Sequence, residues 1–204
     1  MTRRPLVAAS LVLWSALSTV SMSAEAQAPS PRLRGTVQSF DGSKLIVAER
    51  SGQVVSLDVA EPLGVSEVAP IDPSALAAGS YVGTAATVGP DGTLRALEVL
   101  VFPEAARGSS EGHGPWDLQP GSTMTNATVS RLAATPQGRS LTLTYKDGEK
   151  TVIVPEGVPI VTFKPGDRSL LVPGAKVVVI VQTRDGRPTA TRVLAGRDGF
   201  APPM

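Results

Sequence analysis

A chain of 204 residues has room for one domain or two small ones. Its 19 basic and 18 acidic side chains nearly cancel, which excludes the long-range field that draws proteins to nucleic acid or to anionic membranes. With no cysteine there is no disulfide staple, no thiol nucleophile and no thiolate ligand, so packing alone must hold the fold.

Residues 1–26 read as a cleaved secretory signal. Arg3 and Arg4 precede a short apolar run, Leu6 to Val20, and Ala24-Glu25-Ala26 has the small-x-small form of a cleavage site. About 15 apolar residues fall short of the ~20 that span a bilayer. Cleavage would leave Gln27 first. It removes Arg3, Arg4 and Glu25, leaving 17 residues of each sign. No later run reaches spanning length, so the mature protein is expected to be periplasmic or secreted, without a transmembrane segment.

After a short tail over 27–33, two β-patterned segments follow one another at a spacing of roughly ninety-five residues, 34–102 and 126–197. Thr36-Val37 matches Thr128-Val129, Leu45 matches Leu141 and Gly79 matches Gly174. Asp91-Gly92 matches Asp185-Gly186, and Val99 matches Val193. In the first copy Gly35–Phe40, Lys44–Arg50 and Gln53–Val59 read as strands joined at Asp41-Gly42 and Ser51-Gly52. Ala60–Gly79 reads as a loop with one or two helical turns, Asp72 capping and Pro73 at the first position. A last hairpin, Tyr81–Val88 with Thr93–Phe102, turns at Asp91-Gly92.

The second copy repeats this plan through Leu141–Lys146, Glu149–Val154, Lys176–Thr183 and Arg187–Ala195. Residues 198–204 form a C-terminal tail. The order predicts an all-β protein of two tandem small OB-like five-stranded β-barrels, joined by a long central loop over 103–125. Val177 to Val181 is continuously apolar, as a strand covered on both faces would be. Leu100 and Phe102 stand on the polar-side register of their strand. Pairing those apolar outer faces would draw the copies into one body.

The stretches GTVQSFDGSKLIV, GSYVGTAATVGPDGTLRALEV and PGAKVVVIVQTRDGRPTATRV resemble a family of exported bacterial proteins built from OB-like β-barrel repeats, a domain of unknown function. That resemblance implies small barrels in the cell envelope and carries no catalytic residue with it.

Chemistry concentrates in the central loop. Glu111, His113 and Asp117 are three potential metal ligands within seven residues, but one histidine is little for zinc and three groups are few for calcium. No serine stands in a Gly-x-Ser-x-Gly elbow. Nucleic acid is not an expected partner, with zero net charge after cleavage and seven aromatics from Phe40 to Phe200. Trp116, between Pro115 and Asp117, is expected to bury its ring against the barrels and dock the loop. The competing role is an exposed stacking residue, with His113 beside it. The sequence therefore reads as a non-catalytic binding or interaction module without a cofactor, its partner an envelope protein or small ligand. A small-ligand or metal-binding protein using the central loop is the alternative, and an enzyme comes third.

Overall fold

The computed structural model describes residues 31–204; the expected signal segment lies outside them. The protein is all-β, with twelve strands and three short 3-10 turns among the described residues. They are β1 (Arg32–Phe40), β2 (Lys44–Glu49), β3 (Val54–Pro70), β4 (Tyr81–Val88), β5 (Leu94–Val101) and β6 (Gly112–Pro115). There follow β7 (Thr123–Thr135), β8 (Gly138–Tyr145), β9 (Gly148–Val154), β10 (Ile160–Pro165), β11 (Lys176–Arg184) and β12 (Arg187–Gly196). No helix among these residues is long and apolar enough to cross a membrane.

The turns follow their residue chemistry. Asp185 and Gly186 both have positive φ, +50° and +73°, the conformation that a two-residue hairpin between Arg184 and Arg187 demands. Asp72 caps the 3-10 turn Pro73–Ala75 by accepting from the Ser74 N–H at 2.7 Å, as its sequence predicts. Asp167 caps Arg168–Leu170 in the same way.

Five strands close into a barrel. β1 pairs antiparallel with β2, and β2 with β3. β3 runs parallel to β12, β12 returns to β11, and β11 pairs antiparallel with β1. The order is therefore β1-β2-β3-β12-β11, back to β1. A second set pairs as β7-β8-β9-β5-β4, back to β7, and its closing β5–β9 contact is just two residue pairs, Leu94 with Val152 and Arg95 with Ile153.

This pairing does not follow the boundaries 34–102 and 126–197, and the tandem arrangement is corrected accordingly. The last hairpin of each segment completes the other segment's sheet. Leu45, Val47 and Leu57 share a core with Val177, Val179 and Val193; Val82 and Val99 share one with Leu141, Leu143 and Val152. The exchange is symmetric in detail. Gly174 N–H donates to Val37 O and Gly79 N–H to Val129 O, each at 2.8 Å.

The cause is β3. Ala60–Gly79 reads in sequence as a loop with one or two helical turns. Instead the chain stays extended to Pro70, 17 residues or roughly 55 Å at about 3.3 Å each. That is too long for one small barrel. The β3–β12 ladder is interrupted between Val59 and Gly64, so Pro62 stands where no ladder N–H is required. Beyond the interruption β3 meets β10, a strand absent from the sequence reading, in an antiparallel ladder centred on Phe163 and Val68. β10 also runs parallel to β5, from Ile160–Val99 to Thr162–Val101, and so joins the two sets.

A third cluster fills the seam between them: Val68, Leu100, Val161, Val178, Leu194 and Met204, with Phe102, Phe163 and Phe200 against it. Val178 and Leu100 are thus outer-face residues buried by the opposing set, as their sequence registers suggested. The two stretches read as tails are also packed. β1 begins at Arg32, and residues 198–204 return to the seam, where Met204 is 5% exposed and its main-chain oxygen accepts from Arg34 Nε at 2.9 Å.

Because each five-strand set needs strands from both halves of the sequence, the chain should unfold as one unit. Urea unfolding followed by far-UV circular dichroism and by Trp116 fluorescence should give coincident transitions. A fragment of residues 27–125 should show no dispersed amide spectrum alone; a folded fragment would contradict the exchange.

Candidate functional site

The seam is not filled completely. A cavity of about 250 Å³ opens between the two sets, large compared with the roughly 150 Å³ that accommodates benzene in an engineered core. Leu100, Phe102 and Phe163 supply one side, Val178, Ile180 and Leu194 another. Both are outer faces, which an isolated barrel would show to water. Gly83 belongs to this packing, since a Cβ there would stand 2.6 Å from Asn126 Oδ1 and 3.2 Å from the Phe102 ring.

β5 places Glu98 in the wall of this apolar space. A register shift between Ala96 and Glu98 sets Glu98 and Leu100 on the seam side, while Ala96 and Val99 belong to the core of the second set. Glu98 is 0% exposed, and neither carboxylate oxygen has a hydrogen-bond partner. Burial pushes its pKa up to about 8, the charge of Arg34 acting in the opposite direction. At neutral pH the group is a carboxylic acid, able to donate one hydrogen bond and accept others.

The central segment closes the remaining side, and it is ordered. β6 pairs antiparallel with β7 from Gly112–Asn126 to Pro115–Thr123. Trp116 N–H then donates to Ser122 O at 2.8 Å, and the buried Ser122 hydroxyl donates to Gln119 O at 2.7 Å. The half-buried Trp116 ring lines the cavity, and Arg32 stacks on it with Cζ 3.9 Å from the ring centroid. Trp116 Nε1 is buried without a partner. Next to it Asp117 pairs with Arg34 Nη2 at 2.8 Å and with Arg32 Nη1 at 3.5 Å. Burial raises the Asp117 carboxyl, but the Arg34 hydrogen bond and the two guanidinium charges outweigh this and hold it below the usual range.

The sequence candidates separate. Trp116 enters the cavity wall. His113 is exposed, its Nδ1 2.9 Å from Thr125 Oγ1, and burial followed by the Lys150 charge lowers its pKa. Glu111 Oε1 accepts from the Lys146 N–H at 3.1 Å. Glu111, His113 and Asp117 therefore have three different sets of partners, and no group of three His, Asp or Glu side chains among the described residues could hold a metal ion.

Sequence reasoning missed Glu98, although a signal for it existed. In Leu94-Arg95-Ala96-Leu97-Glu98-Val99-Leu100-Val101-Phe102 it shares its alternation with Leu100 and Phe102. Whatever covers those two must bury the carboxyl beside them.

Two outcomes follow. Between about pH 4.5 and about pH 8 the folded state keeps a proton on Glu98 that the unfolded chain releases. Its contribution therefore lowers stability as pH rises through that window, by up to roughly 1.4 kcal/mol per unit. Urea midpoints at several pH values should show this slope, and Glu98→Gln should flatten it; parallel profiles would mean that Glu98 ionises freely. Separately, Trp116→Ala should cost about half of the ~3–5 kcal/mol typical of a fully buried aromatic, with His113→Ala below about 1 kcal/mol. Wild-type Trp116 emission should be blue-shifted; a spectrum like that of free tryptophan would show an undocked ring.

Compared with protein-family models, with curated proteins and with solved structures, the chain finds no match, so the functional reading rests on this geometry.

Proposed function

We propose that this protein is a non-catalytic binding module of the bacterial cell envelope, and that its site is the seam cavity closed by Trp116. One observation carries the reading. A residue with a fully buried carboxyl, both oxygens unpartnered, lines an apolar cavity, and so does Trp116, whose Nε1 is likewise buried and unpartnered. Such groups cost about 1–3 kcal/mol each when left unsatisfied, and a hydrophobic seam would be more stable with leucine at position 98. A ligand that bonds to them removes the cost.

Several features support the rest. Pockets of this kind form preferentially where two packed units meet. The order of three meandering strands closed by a parallel pairing favours an OB-like reading of each five-strand set. The matching registers of β11 on β1 and β4 on β7, Lys176 with Thr36 and Tyr81 with Thr128, favour descent from a duplicated unit. Export rests on Arg3-Arg4, the short apolar run and Ala24-Glu25-Ala26.

A thermal-shift screen tests the reading, because a ligand that binds only the folded state stabilises it, by about 2.7 kcal/mol at a hundred times Kd. Small apolar compounds with one polar group should raise the melting temperature and change Trp116 emission, whereas divalent metals should not. A Leu194→Phe variant, which fills the cavity, should lose the response while keeping its circular dichroism spectrum. Persistence of the response in that variant would move the site elsewhere.

A further inference from the structure

The seam cavity selects among ligands by what its polar groups can still offer. Glu98 is enclosed, and neither of its oxygens has a partner in the protein. An ionised carboxylate cannot be held that way without large cost, so the group presents an O–H. Trp116 Nε1 can only donate, and it too lacks a partner. Arg32 has an Asp117 contact at the long distance of 3.5 Å. Arg192, exposed at the cavity mouth, has a Ser66 Oγ contact at 3.4 Å. Each guanidinium carries five N–H groups and accepts nothing. Asn126 has already given its Nδ2 to Ser110 O at 2.9 Å.

What remains for a guest is therefore chiefly donors around apolar walls. Charge points the same way. Arg32 on β1 and Arg192 on β12 line the cavity, and the charge of Arg34 on β1 reaches Glu98, against Asp117 on the central segment and Glu98 itself. Asp117 is already paired with both β1 arginines. With Glu98 protonated the surroundings carry a positive excess, and Arg32 already occupies a face of Trp116 that a cationic guest would seek.

We propose, building on the seam-cavity reading above, that the ligand class is a small aromatic or aliphatic carboxylate, its apolar body against Phe102 and Phe163 and its oxygens toward Glu98, Trp116 Nε1 and the guanidinium groups of Arg32 and Arg192. The cavity has room for one ring with a short side chain. Glu98 then acts as a proton-dependent donor. Binding requires its O–H, so ionisation of Glu98, to which its pKa of about 8 assigns an alkaline range, expels the guest by repulsion between like charges.

The test uses the full chain and three probes of one shape: phenylacetate, phenylacetamide and phenethylammonium. Titration calorimetry and Trp116 fluorescence should show phenylacetate binding about tenfold more tightly than phenylacetamide near neutral pH. Phenethylammonium should not bind. Phenylacetate affinity should fall about tenfold per pH unit once Glu98 ionises. Glu98→Gln keeps an N–H donor and should remove that pH dependence while retaining binding. Arg192→Gln should weaken phenylacetate at least fivefold and leave phenylacetamide unchanged.

Stronger binding of phenethylammonium, or equal binding of all three probes, would overturn the carboxylate assignment while leaving a ligand site at the seam. A pH profile identical in wild type and Glu98→Gln would overturn the role of Glu98. Failure of all three probes to bind, with Leu194→Phe indistinguishable from wild type, would overturn both the ligand class and the site.

Discussion

The antiparallel ladder between β10 and the far half of β3 is the constraint on which the rest of the molecule depends. It runs from Val161–Pro70 to Pro165–Ser66, with Phe163 opposite Val68 at its centre. Each of these strands leaves its own group of strands to meet the other, so each carries its chain across the seam before the last hairpin begins. The hairpin must then be completed on the far side. Without a disulfide to hold the crossing, it is maintained by the ladder, by the Val68–Leu100–Val178–Leu194 cluster and by arginines that reach over the seam. Arg34 is the most connected of them, joining β1 to Asp117 and to Met204.

The same crossing creates the site. A five-stranded set standing alone would turn Leu100, Val178 and Leu194 to water. Pressed together, these faces give about 1.5–3 kcal/mol per fully buried side chain, yet they do not interdigitate fully. Glu98 and Arg192 occupy corresponding places, each one residue before the matched valines Val99 and Val193. One is enclosed and the other lies exposed at the mouth. The two sets meet nearly symmetrically in backbone, while their side chains at this point differ, one a carboxyl and the other a guanidinium. That difference turns a seam into a cavity with a polar end.

The sequence was informative about local structure and silent about partners. Alternation in Gln53–Val59 and the Asp-Gly turns revealed nearly every strand and hairpin, because those signals lie within a few residues of one another. Docking of the central segment was also legible, in Trp116 next to Pro115. The pairing of β1 with β11 joins residues such as Thr36 and Lys176, and no local pattern states which of two similar strands a third will choose. The extension of β3 past Pro62 was hidden for a related reason. A proline interrupts a strand where its N–H is needed, and whether it is needed depends on the partner. β6 was hidden by glycine and proline in Gly112–Pro115, which read as turn residues until β7 is known to lie alongside. Glu98 was visible as one charge on an apolar face, but its meaning required the cover.

Under the proposed binding role, occupancy of the seam and integrity of the fold would be coupled. Glu98 belongs to the second set, Arg32 and Arg192 to the closed barrel, and Trp116 to the segment between β5 and β7. No part of the cavity survives if either set opens, so a guest stabilises the crossing itself rather than one loop. The converse also holds. Slow, long-range pairing of β1 with β11 must be complete before the cavity exists, as expected of a topology dominated by distant contacts. A buried acid without a partner weakens that closed state, and under the proposed binding role a guest that accepts its proton-bearing bond would restore it. On that proposal the carboxyl at position 98 trades stability of the fold for binding.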